Sequence, residues 1–362
     1  MAKCIMVGCD LHDKTMLLKI AVDRGKPVTE HWQTDPGAIR DLIRRLLRQA
    51  ADLGGAQVWF AYEACGFGFR LHDQLVAAGI ECHVLAPSKM RRSAKQRKRK
   101  TDERDAQMIL DILRAHILAG VEMPSVWVPD PWIRDDRELV RHRLAVAENC
   151  SSAMVRIRWL LKGRGIKLAP ANAWTQAYWQ WLERLADEEL PAGTAATLRS
   201  LLRQVEWLRS ERDRLDEQVR ALAFSRRYAS LVAALCRHNG VGILTAMVFL
   251  TELGDLRRFA NRRQVGSYLG LVPSSFESGE SDDRKGRITR QGPSRVRKVL
   301  CQAVWSRLRC EAHERAAYDR IVSRNPKHKK KAVVARMRTL AIVLWHTGLA
   351  ALSSQRGKAA SA

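Results

Sequence analysis

Three short runs of apolar residues open the chain: Cys4–Cys9, Met16–Val22 and Val28–Trp32. Runs of this length, with Gly25-Lys26-Pro27 as a turn before the third, predict β-strands. From residue 36 to 52 the period changes. Ile39, Leu42, Ile43, Leu46 and Leu47 recur at the spacing of one helix face, and Gly54-Gly55 ends the pattern. Gln57–Tyr62 then predicts a buried strand, Phe69–Ala78 a helix, Ile80–Leu85 a strand, and a new helical pattern starts at Thr101. The order β-β-β-α-β-α-β-α packs helices onto a mixed sheet.

That order is the order of the ribonuclease H fold. Beyond it the patterning is helical, so the fold class expected is α/β plus α. Ile133–Leu161 reads as helical and basic, and 173–224 as helical with Trp174, Trp179 and Trp181 at its start. Leu198, Leu201, Val205, Leu208, Arg212, Leu215, Val219 and Leu222 alternate spacings of three and four, and only Arg212 among them is polar. A stripe of this kind predicts a coiled-coil hairpin or a dimer seam, ahead of a helix packed on its own domain. After Ser225 a compact helical domain follows. In it Gly240-Val241-Gly242 joins two apolar helical segments, either as backbone N–H groups for a phosphate or as a plain helix turn. Pro273–Thr289 is polar and rich in Gly and Ser, which predicts an exposed loop or hairpin, and Pro293–Tyr318 and Lys331–Leu349 close the domain as helices. The domain expectation is 1–125, a basic helical extension over 126–172, a coiled-coil region over 173–225, and a C-terminal domain over 226–362.

Charge changes the picture. The 362 residues carry 63 Lys+Arg against 38 Asp+Glu, a formal net charge of +25. Such an excess calls for a polyanionic partner, nucleic acid ahead of an anionic membrane surface. Thr339–Leu352, the longest apolar stretch, contains His346 and is too short to span a bilayer. No signal peptide is evident, and the eight cysteines form no C-x-x-C pair. These features predict a cytoplasmic, nucleoid-associated protein with reduced thiols and no membrane partner. Lys89, Arg91, Arg92, Arg97, Lys98, Arg99 and Lys100 belong to a run without any acid, and Arg284, Lys285, Arg287, Arg290 and Arg295 form a second cluster with Arg297 and Lys298 beside it. Both are candidate phosphate contacts.

In so basic a chain, acids at particular places need a reason. Asp10 ends the first apolar run and Glu63 the fourth, and Asp102 and Asp105 stand at i and i+3 where the third helix begins. Two carboxylates at strand ends and two on one helix face can converge on one or two Mg²⁺ ions, which take carboxylate oxygens and keep positions open for phosphate. Helix capping by Asp102 is the plainer alternative, but it leaves Glu63 and Asp105 without a role. Ser278, before Gly279 in the polar segment, is able to approach a phosphate; from composition alone it reads as a turn serine, with Ser274, Ser275 and Ser281 as equals.

The motifs Val7-Gly8-Cys9-Asp10, Tyr62-Glu63-Ala64-Cys65-Gly66, Lys100-Thr101-Asp102-x-x-Asp105-Ala106, Arg137-Glu138-Leu139-Val140-Arg141, Gly240-Val241-Gly242, and Gly270-Leu271-Val272-Pro273 through Ser278-Gly279 to Gly292 occur in this order. By them the chain, over almost its whole length, resembles the DEDD transposases of insertion-sequence family 110, the group related to the invertase Piv. The resemblance implies a RuvC-like N-terminal domain that carries the metal-binding tetrad, here Asp10, Glu63, Asp102 and Asp105, and a C-terminal transposase domain that carries a serine nucleophile, here Ser278. It also implies DNA as substrate, a homodimer or homotetramer with the two domain types meeting across subunits, which favours a seam between subunits for the Leu198–Leu222 stripe, and in some members a structured guide RNA encoded in the element. Glu280 departs from the small residue common in relatives, and Asp282-Asp283 adds charge beside the serine. The expected activity is Mg²⁺-dependent DNA cleavage and strand exchange through a serine–DNA phosphoester. The alternatives are a water-using junction resolvase and a non-enzymatic nucleic-acid scaffold.

Overall fold

A computed structural model of the chain describes residues 3–90, 101–167, 174–275 and 285–360. Contacts divide the chain into two compact units, Met1–Val128 and Pro129–Ala362.

The first unit is built on a five-stranded sheet of order β3-β2-β1-β4-β5. Its strands are β1 (Cys4–Leu11), β2 (Thr15–Val22), β3 (Val28–Gln33), β4 (Gln57–Glu63) and β5 (Glu81–Leu85). The first three form an antiparallel meander, whereas β4 lies parallel to β1 and β5 parallel to β4. The apolar runs are continuous because the central strand is covered on both faces. Ile5, Val7 and Cys9 enter one core with Leu42 and Leu46 of α1 (Pro36–Asp52) and Leu71 and Leu75 of α2 (Arg70–Ala77). Cys4 and Met6 face the other way, against Ile109, Leu110 and Leu113 of α3 (Asp102–Ala119). The start of α1 is fixed by Asp35, whose carboxylate accepts from the N–H groups of Gly37 and Ala38, with Pro36 in the first turn. A mixed sheet with helices packed on it is the arrangement expected from the alternation of periods.

Among its described residues the second unit is helical apart from one hairpin. Its long helices are α4 (Pro131–Gly163) and α6 (Ala192–Ala223), with α5 (Gln176–Glu188) packed beside them. The stripe from Leu198 to Val219 is buried here within one chain: Leu198, Leu201, Val205, Leu208 and Leu215 meet Val146, Cys150, Ala153, Ile157 and Leu161 of α4. The helix read as merely basic carries an apolar stripe of its own, so the expected seam finds its partner inside the chain, and no second copy is needed to bury it. Bidentate Arg143–Asp216 contacts at 2.8 and 2.7 Å tie the two helices together.

The second core gathers α7 (Ala229–Leu235), α8 (Ile243–Leu253), α9 (Arg262–Tyr268), α10 (Ser294–Cys310), α11 (Ala312–Arg324) and α12 (Lys329–Ala360). The closing segment expected as one helix from Pro293 is broken at Glu311, which is extended at φ −120°. Thr339–Leu352 lies inside α12 with Leu340, Ala341, Leu344 and Trp345 buried. Among the described residues no helix is long and apolar enough to cross a membrane. The polar segment contains a hairpin, β6 (Pro273–Ser275) with β7 (Lys285–Ile288). All eight cysteines are free thiols.

Candidate functional site

The acids of the first unit are brought together by one close approach. Gly8 lies under α3: a β-carbon there would stand 2.4 Å from the Ala106 carbonyl oxygen and 2.4 Å from the Leu110 nitrogen. Only glycine lets the helix backbone settle so far onto β1. Side chains alternate along a strand, so Asp10, two residues on, shares the face of Gly8. Cys9 is in register with Tyr62, which puts Glu63 on the neighbouring parallel strand one step past that pair, where it faces the same way as Asp10. The stacking of Trp59 on His83 with His116 edge-on puts the C-terminal part of α3 near the start of β4. The helix therefore runs opposite to β1 and β4, and its first turn lies at their C-terminal edge.

That first turn holds three acids with different surroundings. Asp105 precedes the residue seated on Gly8 and is buried, 8 % exposed. Asp102 is mostly open to solvent. Glu103 turns aside to Lys19 of β2 at 3.1 Å and is used in that ion pair. The N-cap is Thr101, not Asp102, and it makes no side-chain cap bond. Acids in a first turn also complement the helix dipole.

A residue that the sequence reading passed over joins them. His12 lies in the turn between β1 and β2, where its N–H donates to the Thr15 carbonyl at 2.9 Å. Its Nε2 is 3.3 Å from Asp10 Oδ2 and 3.6 Å from Asp102 Oδ2. One ligand atom from each of the three residues lies within 4.8 Å of the others. The signal was available in Asp10-Leu11-His12, where i and i+2 at a strand end share a face. The donor set of two carboxylates and one imidazole, with a buried carboxylate beside it, fits a divalent cation. The nearby thiols are poor candidates for chemistry, since burial pushes Cys9 and Cys82 upward and holds them protonated.

In the second unit, Ser278 and Arg284 lie outside the described residues, as do Arg91, Arg92, Arg97, Lys98, Arg99 and Lys100 of the first basic run. Lys89 is exposed in the turn that precedes that run. Lys285 opens β7; Arg287 and Arg290 are exposed on or just after it; Arg295 is half-buried in the first turn of α10. The base of the hairpin is described in detail. Gly270 and Gly292 both have positive φ, and a β-carbon on either would collide with backbone, at 2.2 Å from the Gln291 oxygen and 1.9 Å from the Tyr268 oxygen. Arg297 closes this knot: Nη1 donates to the carbonyls of Leu269, Gln291 and Gly292 at 3.0, 2.9 and 3.3 Å, and Nη2 to Arg290 at 3.0 Å. Lys298 pairs with Glu148 at 2.8 Å. Of the two cations beside the second basic cluster, Arg297 is thus tied into the base of the hairpin and Lys298 has an acidic neighbour at the surface. The Ser274 hydroxyl donates across the hairpin to the Arg287 carbonyl at 3.0 Å, a structural role.

The other motifs are structural too. Gly240 has φ +78° and faces the Ala303 carbonyl oxygen, which a β-carbon would meet at 2.5 Å, so it is required by packing on α10. Arg141 grips Glu252 with two contacts of 2.7 and 2.8 Å, and Arg137 donates to the Thr251 carbonyl at 2.8 Å. Glu252 is almost completely buried, so the pair joins α4 to α8 at the centre of the unit.

Comparison with known proteins bears on both units. Residues 7–165 match the family model of IS110-type DEDD transposases, described as a transposase, and residues 232–319 match one described as a transposase of the IS116/IS110/IS902 family. A putative transposase, y4qE, of Sinorhizobium fredii is 33 % identical over 303 residues, covering 83 % of this chain and 71 % of the relative. The transposase for insertion sequence element IS1533 of Leptospira borgpetersenii is 26 % identical over 309 residues, covering 84 % and 86 %. A probable family 20 transposase of Pseudomonas aeruginosa is 25 % identical over 316 residues, covering 87 % of each.

Proposed function

The chain belongs to the IS110 family of DEDD transposases, and from that premise we propose that it transposes its insertion sequence by metal-dependent cleavage and a serine–DNA phosphoester. The reading is supported by the approach of Asp10 and Asp102, with His12, to within 4.8 Å of one another, with Glu63 on the neighbouring strand one step past the Cys9–Tyr62 pair and Asp105 in the same helix turn as Asp102. The unit that holds them is read as the RuvC-like domain, residues 1–125. The region 226–362 is read as the transposase domain, and 126–172 and 173–225 as the helical extension and coiled-coil parts between them.

Asp10 and Asp102, with Glu63 and Asp105, would hold one or two Mg²⁺ ions. When bound, the metal supplies charge to orient the scissile phosphate and to stabilise the oxygen that leaves it. The chain's own residues do the rest. Ser278 loses its proton and attacks phosphorus; the Ser278 oxygen–phosphorus bond forms as the phosphorus–sugar oxygen bond breaks, and the departing sugar hydroxyl takes up a proton. A hydroxyl end from another strand reverses the step and releases the serine. Arg297 and the two glycines hold the chain on either side of the segment that carries Ser278, while Arg287 and Arg290 are exposed and suited to meet phosphates. The basic run 91–100 leads directly into the acidic first turn of α3, which favours phosphate contact close to the metal.

The resemblance extends the proposal to a homodimer or homotetramer guided by a structured RNA of the element. The test is cleavage of DNA carrying the element ends, by the chain purified with its bound nucleic acid. Asp102→Ala and Asp105→Ala should bind DNA and fail to cut, and Ser278→Ala should form no adduct that survives denaturation. Cleavage without any covalent adduct would favour water as nucleophile and the resolvase reading. Full activity in both aspartate variants would reject the tetrad.

A further inference from the structure

We propose that His12 is a nitrogen ligand of the cation held by Asp10 and Asp102, and that it biases the site toward Mn²⁺ over Mg²⁺. The proposal rests on the metal-site reading above and adds to the carboxylates a residue outside the tetrad.

The argument is geometric first. His12 Nε2 faces two carboxylate oxygens at 3.3 and 3.6 Å. A nitrogen of an imidazole ring carries one hydrogen at most, so Nε2 cannot make a good bond to both oxygens. Both distances also lie beyond the usual range of an N–H···O bond, about 2.7–3.2 Å. They do match the edges of a coordination polyhedron. Ligand atoms about 2.1 Å from one cation are about 3.0 Å apart along an octahedral edge and about 3.4 Å apart along a tetrahedral one. The spacing of the three atoms is therefore better explained by a shared cation than by hydrogen bonds among them.

Placement supports the same conclusion. His12 is not on a loose loop: its N–H is bonded to Thr15, and Leu11 is paired with Met16 at the last step of the β1–β2 ladder. The turn that fixes it is short, and it puts the ring on the Asp10 face of the sheet. About half of the ring is exposed, so the third side of the cluster is open to a phosphate oxygen or water. Chemistry then sets the preference. Carboxylates alone suit Mg²⁺, and replacing one oxygen by an imidazole nitrogen favours a transition metal of the same charge.

The probe is Mn²⁺ added to the full chain, read by electron spin echo modulation for coupling to ¹⁴N and by titration for affinity. Mg²⁺ affinity is read by competition against Mn²⁺. The wild-type chain should show nitrogen coupling, and His12→Gln should lose it. In the same variant the Mn²⁺ dissociation constant should rise about ten-fold, with the Mg²⁺ constant changed less than about three-fold. Unaltered melting of His12→Gln, a change in an exposed turn, would exclude misfolding. Bound Mn²⁺ without nitrogen coupling, or an unchanged Mn²⁺/Mg²⁺ ratio in His12→Gln, would reduce His12 to a neighbour of the carboxylates and overturn the proposal. A second cluster, Glu311–His313–Glu314, also lies within 4.8 Å. Coupling lost in His313→Gln and kept in His12→Gln would move the nitrogen there and equally overturn it. Asp10→Asn tests the premise separately: if Mn²⁺ binds that variant as it binds the wild type, the metal site itself is wrong, whatever His12 does.

Discussion

Replacing Gly8 by Ala adds one methyl group at the point where α3 meets β1. That carbon would be 2.4 Å from Ala106 O and Leu110 N and 2.8 Å from Leu110 Cα, against 3.4 Å or more for an ordinary contact. The obstacle is helix backbone on one side and the central strand of the sheet on the other, so neither can yield by a rotamer change. To restore contact, α3 must retreat by about 1 Å, and overpacking of this kind costs about 1–3 kcal/mol. The same retreat draws Asp102 and Asp105 away from Asp10 and Glu63. Metal–ligand distances tolerate about 0.2 Å, so a shift several times larger should also lower cation affinity. Two readouts therefore move together: thermal unfolding falls by roughly 3–10 °C, and Mn²⁺ binding weakens. Hydrogen exchange of α3 should rise while that of α4 and α6 stays as it is. Gly193→Ala is the control, because no atom lies within 4 Å of its β-carbon and the residue is helical; it should be neutral or stabilising by up to about 1 kcal/mol. A Gly8→Ala chain that melts and binds metal like the wild type would refute the seating of α3 on Gly8, and with it the geometry of the site.

Arg297→Ala removes the donor to four carbonyls at the base of the hairpin. It should cost about 1–3 kcal/mol locally and speed hydrogen exchange at 269–275 and 288–292, with recombination reduced far more than DNA affinity; unchanged exchange would show that the knot holds without it. Arg141→Met leaves the buried Glu252 with Arg137 at 3.9 Å as its remaining ion-pair partner. Unfolding of the second unit should lose about 3 kcal/mol, at the low end for a broken buried pair because Arg141 is partly exposed, and adding Glu252→Met should recover much of it; no recovery would argue against the pair as the cause. His83 titrates lower than an ordinary histidine, chiefly because it is buried, stacked on Trp59. A histidine with a lowered folded value stabilises fully above its unfolded value near 6.5 and loses that contribution as pH falls below it. Acidification from pH 7 to 5 should therefore weaken the first unit, and His83→Phe should flatten this limb of the denaturation profile; an identical slope in the variant would exclude His83. Neutralising Arg97, Lys98, Arg99 and Lys100 together should lower the log–log salt slope of DNA binding by up to about 3.6, and an unchanged slope would mean that these charges only solvate the chain.

Much of the first unit was legible because its signals are local. The switch from continuous apolar runs to the spacing of Ile39, Leu42 and Leu46 marks strands and helix without tertiary knowledge. The acids stand out for a related reason: Asp10 and Glu63 lie at strand ends and Asp102 and Asp105 in the first turn of a helix, places where carboxylates can converge. What could not be read was which acid of the first turn turns inward. Glu103 and Asp105 flank Arg104 in sequence, yet Lys19 of β2 pairs with Glu103 while Asp105 is buried. His12 escaped notice because its partners are 2 and 90 residues away, and only the turn after β1 aims it at both. The seam of α6 was read correctly as apolar, but its partner was not, since the apolar stripe of α4 is interrupted by Arg156 and Arg158, and charge masked periodicity. Arg297 and Lys298 were grouped with phosphate contacts by composition; four carbonyls and Glu148 claim them in the fold.

These misassignments share a cause that bears on how the site works. In a chain with a net charge of +25, counting cations says little about any one of them, because most must find a structural partner. Acids are scarcer, and the ones that matter are those the fold spends stability to gather. Asp105 is buried and Asp10 nearly so, both at the edge of a sheet and close to a third carboxylate. Burying carboxylates near one another is costly unless positive charge or donors are supplied. The N-terminus of α3 supplies part of that through the helix dipole. Lys19 supplies none of it to the cluster, being committed to Glu103. His12 is one side chain that can carry charge or donate a lone pair there, and its Nε2 lies 3.3 Å from Asp10 and 3.6 Å from Asp102. Three possible ligand atoms thus lie within 4.8 Å of one another on the face where α3 is seated on Gly8. A divalent cation bound there would offset the cost of gathering these carboxylates, which is why metal binding, rather than cation counting along the sequence, is the property to test first.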